Sequence, residues 1–309
     1  MNIKRIVVAV SLLAFSAAAA GIDFGKLLEE RINQELNKDK KTQPAPAQAP
    51  APAQSAASPP SPEKQKIDAR KLGFALFGDY SVEEENRIGK QIAGDLLGAV
   101  QLVRDDKLQN YVNLVGNWVA QHSGRKDVSW RFGVLDTEDI NAFAAPGGYI
   151  FLTKGLYRRL NNEAELAGVL AHEIAHVSQK HHLKLLKQSS LIGALGEAVG
   201  SKVQGSDPAV QNLIGNGAEI MARGLDKNAE FEADRIGIVY AARAGYDPWG
   251  LPGVLQDMAA LPARDSRTSL LYKTHPHPAD RLAALGEAVD GRLDAVSGKD
   301  LAKRFYRIR

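Results

Sequence analysis

Residues 163–187 read EAELAGVLAHEIAHVSQKHHLKLLK. Leu166, Val169, Leu170, Ile174 and Val177 recur at helical spacing along one side, and Glu163 and Glu165 suit the acidic first turn of a helix. The pattern predicts a long helix over 163–187. On such a helix His172 and His176 are separated by about 400° of rotation, which returns them to one face about 40° and 6 Å apart. Two imidazoles so placed can bind one tetrahedral Zn²⁺ at about 2.1 Å. Glu173 lies one step further round, where a carboxylate reaches an activated water and takes its proton while a carbonyl is attacked. A match this short arises by chance in very roughly one chain in a hundred, so the rest of the chain must supply the remaining parts of a site.

A third protein ligand has two candidates. His182 falls at the spacing of the pattern His-Glu-x-x-His-x-x-Gly-x-x-His, which needs a glycine at 179 to fold the chain back. Position 179 is Gln, so the helix is expected to continue and to carry His182 about 9 Å beyond His176 along its axis. The other candidate is the run Glu230-Phe231-Glu232-Ala233-Asp234. If it is helical, Glu230 and Asp234 share a face. One carboxylate can then bind the metal while the other accepts the second N–H of a ligating histidine. Taken alone the run reads as a solvated helix face; with the upstream histidines it completes a His₂Glu set.

Working outward, residues 128–136 alternate Val128, Trp130, Phe132 and Val134 as a half-buried strand does. Residues 139–153 contain a second extended stretch, Tyr149-Ile150-Phe151-Leu152, preceded by the turn former Pro146-Gly147-Gly148. Helical periodicity marks 82–101, 106–121, 226–244, 248–260 and 278–288, with a glycine-rich break around 200–217. The expected fold class is α+β, mainly α, with a small β-sheet beside the site helix.

The chain has 309 residues, 44% hydrophobic and 24% charged, which suffices for one substantial core with appendages. Residues 1–20 follow the order of a secretory signal: Lys4 and Arg5, then apolar Ile6 to Phe15, then Ser16 and four alanines. This predicts export to the periplasm. Residues 21–42 form a short segment whose apolar positions over 22–37 suit an amphipathic surface helix, and peripheral outer-membrane association is the alternative use for it. Residues 43–65 are rich in Pro and Ala and read as a linker to a metallopeptidase domain at 66–309. Leu191 to Val199 is too short to span a bilayer and is interrupted by Glu197. Of 39 basic residues, Lys4 and Arg5 leave 37 against 36 acidic ones, an excess that offers nucleic acid no partner. The absence of cysteine excludes disulfides, thiol chemistry, thiolate-bound zinc and a lipidated cysteine at the cleavage site. Any metal must rest on His, Asp and Glu.

Five ordered stretches then carry a resemblance over residues 75–290: Asn141-Ala142-Phe143-Ala144-Ala145-Pro146-Gly147-Gly148, His172-Glu173-Ile174-Ala175-His176, Glu230-x-x-x-Asp234, Ala244-Gly245-Tyr246-Asp247-Pro248 and Thr274-His275-Pro276-x-Pro278-x-x-Arg281-Leu282. Together they resemble the gluzincin family that contains the membrane protease HtpX, the CAAX prenyl endopeptidases and periplasmic outer-membrane quality-control proteases of the β-barrel assembly-enhancing type. The resemblance implies a zincin-type fold with one Zn²⁺ per subunit, Glu230 as third ligand and Asp234 behind a ligand. It also implies that Asn141, Ala142 and Phe143 form an edge strand against which substrate lies. Implied substrates are unfolded or misassembled exported polypeptides. The membrane helices of HtpX and the prenyl endopeptidases, and the tetratricopeptide tail of the larger periplasmic enzyme, have no counterpart here, so the soluble periplasmic branch is the expected one. His275, stiffened by Pro276 and Pro278, has two roles open: a fourth ligand that gates the metal, or an oxyanion donor. The alternative to an endopeptidase is a chaperone-like binding protein whose zinc site is closed or structural. No feature of the sequence sets an oligomeric state.

Overall fold

A helix that is buried on every side runs through a core, and Glu163–Ser178 is such a helix: every residue from Glu163 to Val177 is buried. The computed structural model describes residues 79–188, 224–262 and 266–308. The expected signal at 1–20, the segments 21–42 and 43–65, the start of the domain at 66, Leu191 to Val199 and the glycine-rich break all lie outside the described residues. The elements below belong to one compact unit built from Tyr80–Leu186 and Asp207–Arg309.

In chain order the unit contains α1 (Val82–Ala99), α2 (Asp106–Ala120), β1 (Arg131–Leu135), β2 (Ala142–Ala145), β3 (Tyr149–Thr153), a single turn α3 (Lys154–Tyr157) and the buried helix α4 (Glu163–Ser178). After it come α5 (Lys227–Arg243), α6 (Gly250–Ala259), α7 (Ser269–Thr274) and α8 (Pro278–Val289). Side-chain caps fix several starts. Ser81 and Glu84 form a capping box on α1, Asp105 caps α2, Asn162 caps α4 and Asp226 caps α5. Among the described residues the fold is mainly helical with one three-stranded sheet, the α+β zincin-type arrangement expected.

The sheet has the order β1-β3-β2, with β1 parallel and β2 antiparallel to β3. Strand β2 is therefore an edge. Gly147 and Gly148, at φ 72° and 87°, make the left-handed turn that returns the chain from β2 into β3. Helix α1 packs Ile92 and Ala93 against Phe143, Ala145 and Phe151 of the sheet. The apolar residues of α2, α4 and α5 join the other sheet face in one core.

Two features position the site. At Gly237 in α5 a Cβ would stand 2.9 Å from the backbone nitrogen of His172, so only glycine lets α5 lie this close to α4. The second corrects the sequence reading: α4 does not run to residue 187. It ends at Ser178, Lys180 takes the left-handed conformation (φ 55°), and a separate helical stretch occupies 181–188. This is a C-terminal helix stop, usually made by glycine, here made by lysine at about 1–2 kcal/mol of backbone cost. The turn seats His181 beside His176.

Candidate metal centre

His172 and His176 project from the C-terminal half of α4 one turn apart, and both are buried. Their Nε2 atoms face each other at 3.0 Å. From α5, the Glu230 carboxylate lies across the pair, Oε2 3.6 Å from His172 Nε2 and Oε1 3.5 Å from His176 Nε2. His275, the last-turn cap of α7, brings Nδ1 to 2.8 Å from Glu230 Oε2. One donor atom from each of His172, His176, Glu230 and His275 falls within 4.8 Å of the others.

Behind His172, Asp234 Oδ1 accepts from Nδ1 at 2.9 Å. Asp234 also receives Arg281 Nε at 2.9 Å and Nη2 at 2.5 Å, a two-pronged buried pair. Behind His176, Nδ1 meets His181 Nδ1 at 2.8 Å, and His181 Nε2 lies 3.4 Å from Glu232 Oε2. Helix α5 thus presents Glu230, Glu232 and Asp234 to one site. Glu173 is buried and lines a cavity of about 30 Å³ with His172, His275 and Arg281. It lines a second, of about 20 Å³, with His176, His182 and Ala142, Phe143 and Ala144 of β2. Each volume has room for water.

Burial governs the protonation of this cluster. It pushes Glu173 upward, and it holds His176 well below its ordinary value, so His176 is neutral. Burial also acts to raise Glu230, but attraction and a hydrogen bond from His275, with His172 and Arg281, bring it down to about 2. Asp234 is likewise opposed by burial and held far below the usual carboxylate range by Arg281 and His172. Neutral imidazoles and an ionised carboxylate are the forms that bind metals.

The donor set also passes a test of fit. Among the described residues Glu230 Oε1 is buried without a hydrogen-bond partner, a cost that native structures avoid unless something else satisfies the atom. Two imidazole nitrogens converge with it. A cation bound by two His and one carboxylate satisfies all three at once.

The sequence reading of His182 needs correction in its reason. The break at Gln179–Lys180 turns His182 back, so its ring centroid lies 5.9 Å from that of His176 rather than a further 9 Å along an axis. It stays outside the four-donor group. Burial, its main cause, lowers its pKa to about 4. Asn141 sits just before β2 and is turned inward: its backbone N–H donates to Thr153 Oγ1 and its Nδ2 to Thr274 Oγ1. It ties the sheet to the end of α7 that carries His275. His181 and the role of Arg281 escaped sequence reasoning. Arg281 had a signal, since it ends the Thr274-His275-Pro276-x-Pro278-x-x-Arg281 stretch. His181 had none, because its approach depends on the turn at Lys180.

A helix carrying His-Glu-x-x-His, a glutamate from a second helix and an edge strand beside them define a metallopeptidase of the zincin type. The chain belongs to peptidase family M48, whose family description matches residues 106–289. It is 31% identical to the β-barrel assembly-enhancing protease of Escherichia coli K12 over 221 residues, 69% of this chain and 45% of that one. It is 25% identical to the mitochondrial metalloendopeptidase OMA1 of Schizosaccharomyces pombe over 214 residues, 68% of this chain and 63% of OMA1. It is 30% identical to the metalloprotease YcaL of E. coli K12 over 152 residues, 48% of this chain and 58% of YcaL. The chain spans about 45% of the length of the β-barrel assembly-enhancing proteases of E. coli K12 and Yersinia pestis that it matches. No helix among the described residues is long and apolar enough to cross a membrane.

Proposed function

We propose that this protein is a zinc-dependent endopeptidase of the periplasm that cleaves unfolded or misassembled exported proteins in envelope quality control. The observation that carries the reading is the buried Glu230 carboxylate facing two imidazole nitrogens, its Oε1 without a hydrogen-bond partner among the described residues, with Glu173 beside them and the edge strand β2 on the same cavity. His172, His176 and Glu230 hold the metal, Asp234 orients His172, and Arg281 keeps Asp234 ionised. Zinc, when bound, polarises a carbonyl and acidifies water. Glu173 accepts the water's proton and passes it to the leaving amine.

Strand β2 receives the substrate. Thr153 N–H donates to Asn141 O, which makes 141 and 153 a hydrogen-bonded pair. In an antiparallel ladder the next pair is not hydrogen-bonded, so Ala142 and Ala144 turn their backbone N–H and C=O away from β3. An extended peptide added there gains backbone hydrogen bonds and little sequence preference, which suits unfolded clients. The signal pattern of residues 1–20 supports export, and a relative named for β-barrel assembly supports the envelope role.

His275 offers a fourth donor atom within 4.8 Å of the other three, and a metal held by four protein donors would be closed. This observation favours a second reading, a resting site gated by His275, or in the extreme a chaperone-like protein with little turnover. One set of measurements separates them. Hydrolysis of an unfolded polypeptide should be abolished by a chelator and restored by Zn²⁺, and Glu173→Gln should keep zinc while losing about 10²–10⁴-fold in kcat. His275→Ala should raise turnover if it is a gate and lower it about 10²-fold or more if it donates to the oxyanion. No chelator-sensitive hydrolysis by either the wild type or His275→Ala would sink the endopeptidase reading.

A further inference from the structure

The two metal-facing histidines are supported differently. Behind His172 stands a carboxylate, Asp234; behind His176 stands another histidine. Two ring nitrogens 2.8 Å apart share one proton, so one of them donates and the other accepts. The direction follows from the opposite edge of each ring. His176 Nε2 faces His172 Nε2 and Glu230 Oε1, and a nitrogen that gives its lone pair to a metal leaves the proton on Nδ1. Nδ1–H of His176 must then donate to His181 Nδ1. The His181 proton is left on Nε2, which points at Glu232 Oε2 3.4 Å away. His181 is buried, whereas the Glu232 side chain is 43% exposed, so the relay runs from the site to the protein surface.

The backbone is bent to make this contact. Lys180 adopts a left-handed conformation that a lysine does not favour, and the result is His181 placed against His176. Helix α5 then supports both imidazoles, His172 directly through Asp234 and His176 indirectly through Glu232 and His181.

Resting on the zinc-peptidase reading above, we propose that His181 is a positioning residue that fixes the Nδ1–H tautomer and ring orientation of His176, with Glu232 anchoring the far side of the His181 ring. Outer partners of metal-bound histidines change affinity by about 10–100-fold when removed. The test measures zinc affinity by competition with a chromophoric chelator at fixed neutral pH, together with nitrogen-15 NMR of histidine-labelled, zinc-loaded protein. His181→Leu is expected to weaken zinc binding about 10–100-fold and to expose the His176 Nδ1 proton to rapid solvent exchange. His181→Asn, which restores a side-chain acceptor, should recover most of the affinity and the protected proton. Glu232→Gln, at a half-exposed position that tolerates change, keeps an acceptor but loses its charge, and should weaken binding a few-fold, the difference between a charge-assisted and a neutral hydrogen bond.

Wild-type affinity in both His181→Leu and Glu232→Gln overturns the relay. If His181→Leu does not fold, an unchanged affinity in Glu232→Gln with no recovery in His181→Asn does so too. A wild-type protein that binds no zinc at this site overturns the zinc-peptidase reading instead, so the two failures are distinct.

Discussion

Helix α4 carries a buried polar cluster at each end, and the two are finished differently. At its N-terminus the Glu163 carboxylate is fully buried and accepts from Tyr111 Oη at 2.8 Å, Tyr246 Oη at 2.8 Å, Arg304 Nε at 2.8 Å and Arg304 Nη2. Every oxygen is filled. Toward its C-terminus two imidazole nitrogens face each other and Glu230 Oε1 has no hydrogen-bond partner among the described residues. A cavity of about 610 Å³ opens at the Glu163 end, whereas those at the histidine end hold about 20–30 Å³. Size alone would choose the wrong end. A saturated cluster ties elements together, here α2, α4 and the C-terminal segment; an unsaturated one with converging donors is built around something added later.

The strongest way to break this contrast is to remove the unfilled carboxylate. Glu230→Ala should lower zinc affinity by more than the roughly 100-fold ceiling for an outer partner, because a first ligand is lost. It should cost less folding stability than the equivalent change at the other end. Metal content by mass spectrometry and urea midpoints of the metal-free proteins give both halves. Wild-type zinc affinity in this variant would mean the cluster is not a metal site.

The complementary change is Glu163→Gln. Breaking a fully buried ion pair costs about 3–5 kcal/mol, but Arg304 is 62% exposed and regains solvent, so about 2–3 kcal/mol is expected. Zinc affinity should be unchanged. A variant with normal stability and weakened zinc binding would reverse the assignment of the two ends.

A smaller effect sharpens the role of the strand beside the unsaturated end. Ala142→Pro removes one outward N–H from an edge position where proline is tolerated. The loss of one hydrogen bond of about 0.5–1.5 kcal/mol should raise KM about 3–10-fold and leave zinc in place. An unchanged KM in a folded variant would end the strand-addition reading.

How much of this was legible in the sequence follows from where the determining forces act. The helices that periodicity marked at 106–121, 226–244 and 278–288 end within two residues of Asp106–Ala120, Lys227–Arg243 and Pro278–Val289. Apolar spacing is local and survives in any context. The short α7 over Ser269–Thr274 has no such period, and it forms because Leu271 and Thr274 pack inward and position His275. The stop at Lys180 was illegible for a different reason: no glycine or asparagine signals it, and tertiary contact supplies the energy. At the site, His172, Glu173 and His176 share one helix and could be read from spacing. Glu230 and Asp234 needed a second helix brought near, and the glycine that permits it, Gly237, carries no motif of its own. Arg281 reaches Asp234 and His172 from a helix distant in sequence, and His181 meets His176 only through the turn at Lys180, so helical spacing reveals neither contact.

The smallest expected effect concerns pH and belongs to the saturated end. Burial acts to raise Glu163, but the hydrogen bonds from Arg304, Tyr111 and Tyr246 and the charge of Arg304 outweigh it, so its folded-state pKa lies below the ordinary 4.5. A carboxyl depressed in the folded state binds its proton more readily when unfolded, so stability falls as pH falls. The contribution is fully present above the ordinary value and is lost as pH drops through 4.5 toward the lower folded value. Solvent screening at the exposed Arg304 keeps the acid-sensitive part small. The measurement is a pair of urea titrations of metal-free protein, wild type and Glu163→Gln, across the acid range. Metal-free protein is required because metal-binding histidines release zinc when they protonate, which would add a second transition. The advantage of the wild type should be constant near neutrality and shrink below the ordinary carboxylate range, since protonated Glu163 resembles the amide that replaces it. A difference between the two proteins that stays constant down to the lowest pH would show that Glu163 acts through packing rather than charge. The saturated cluster would then no longer be an electrostatic counterpart to the metal end.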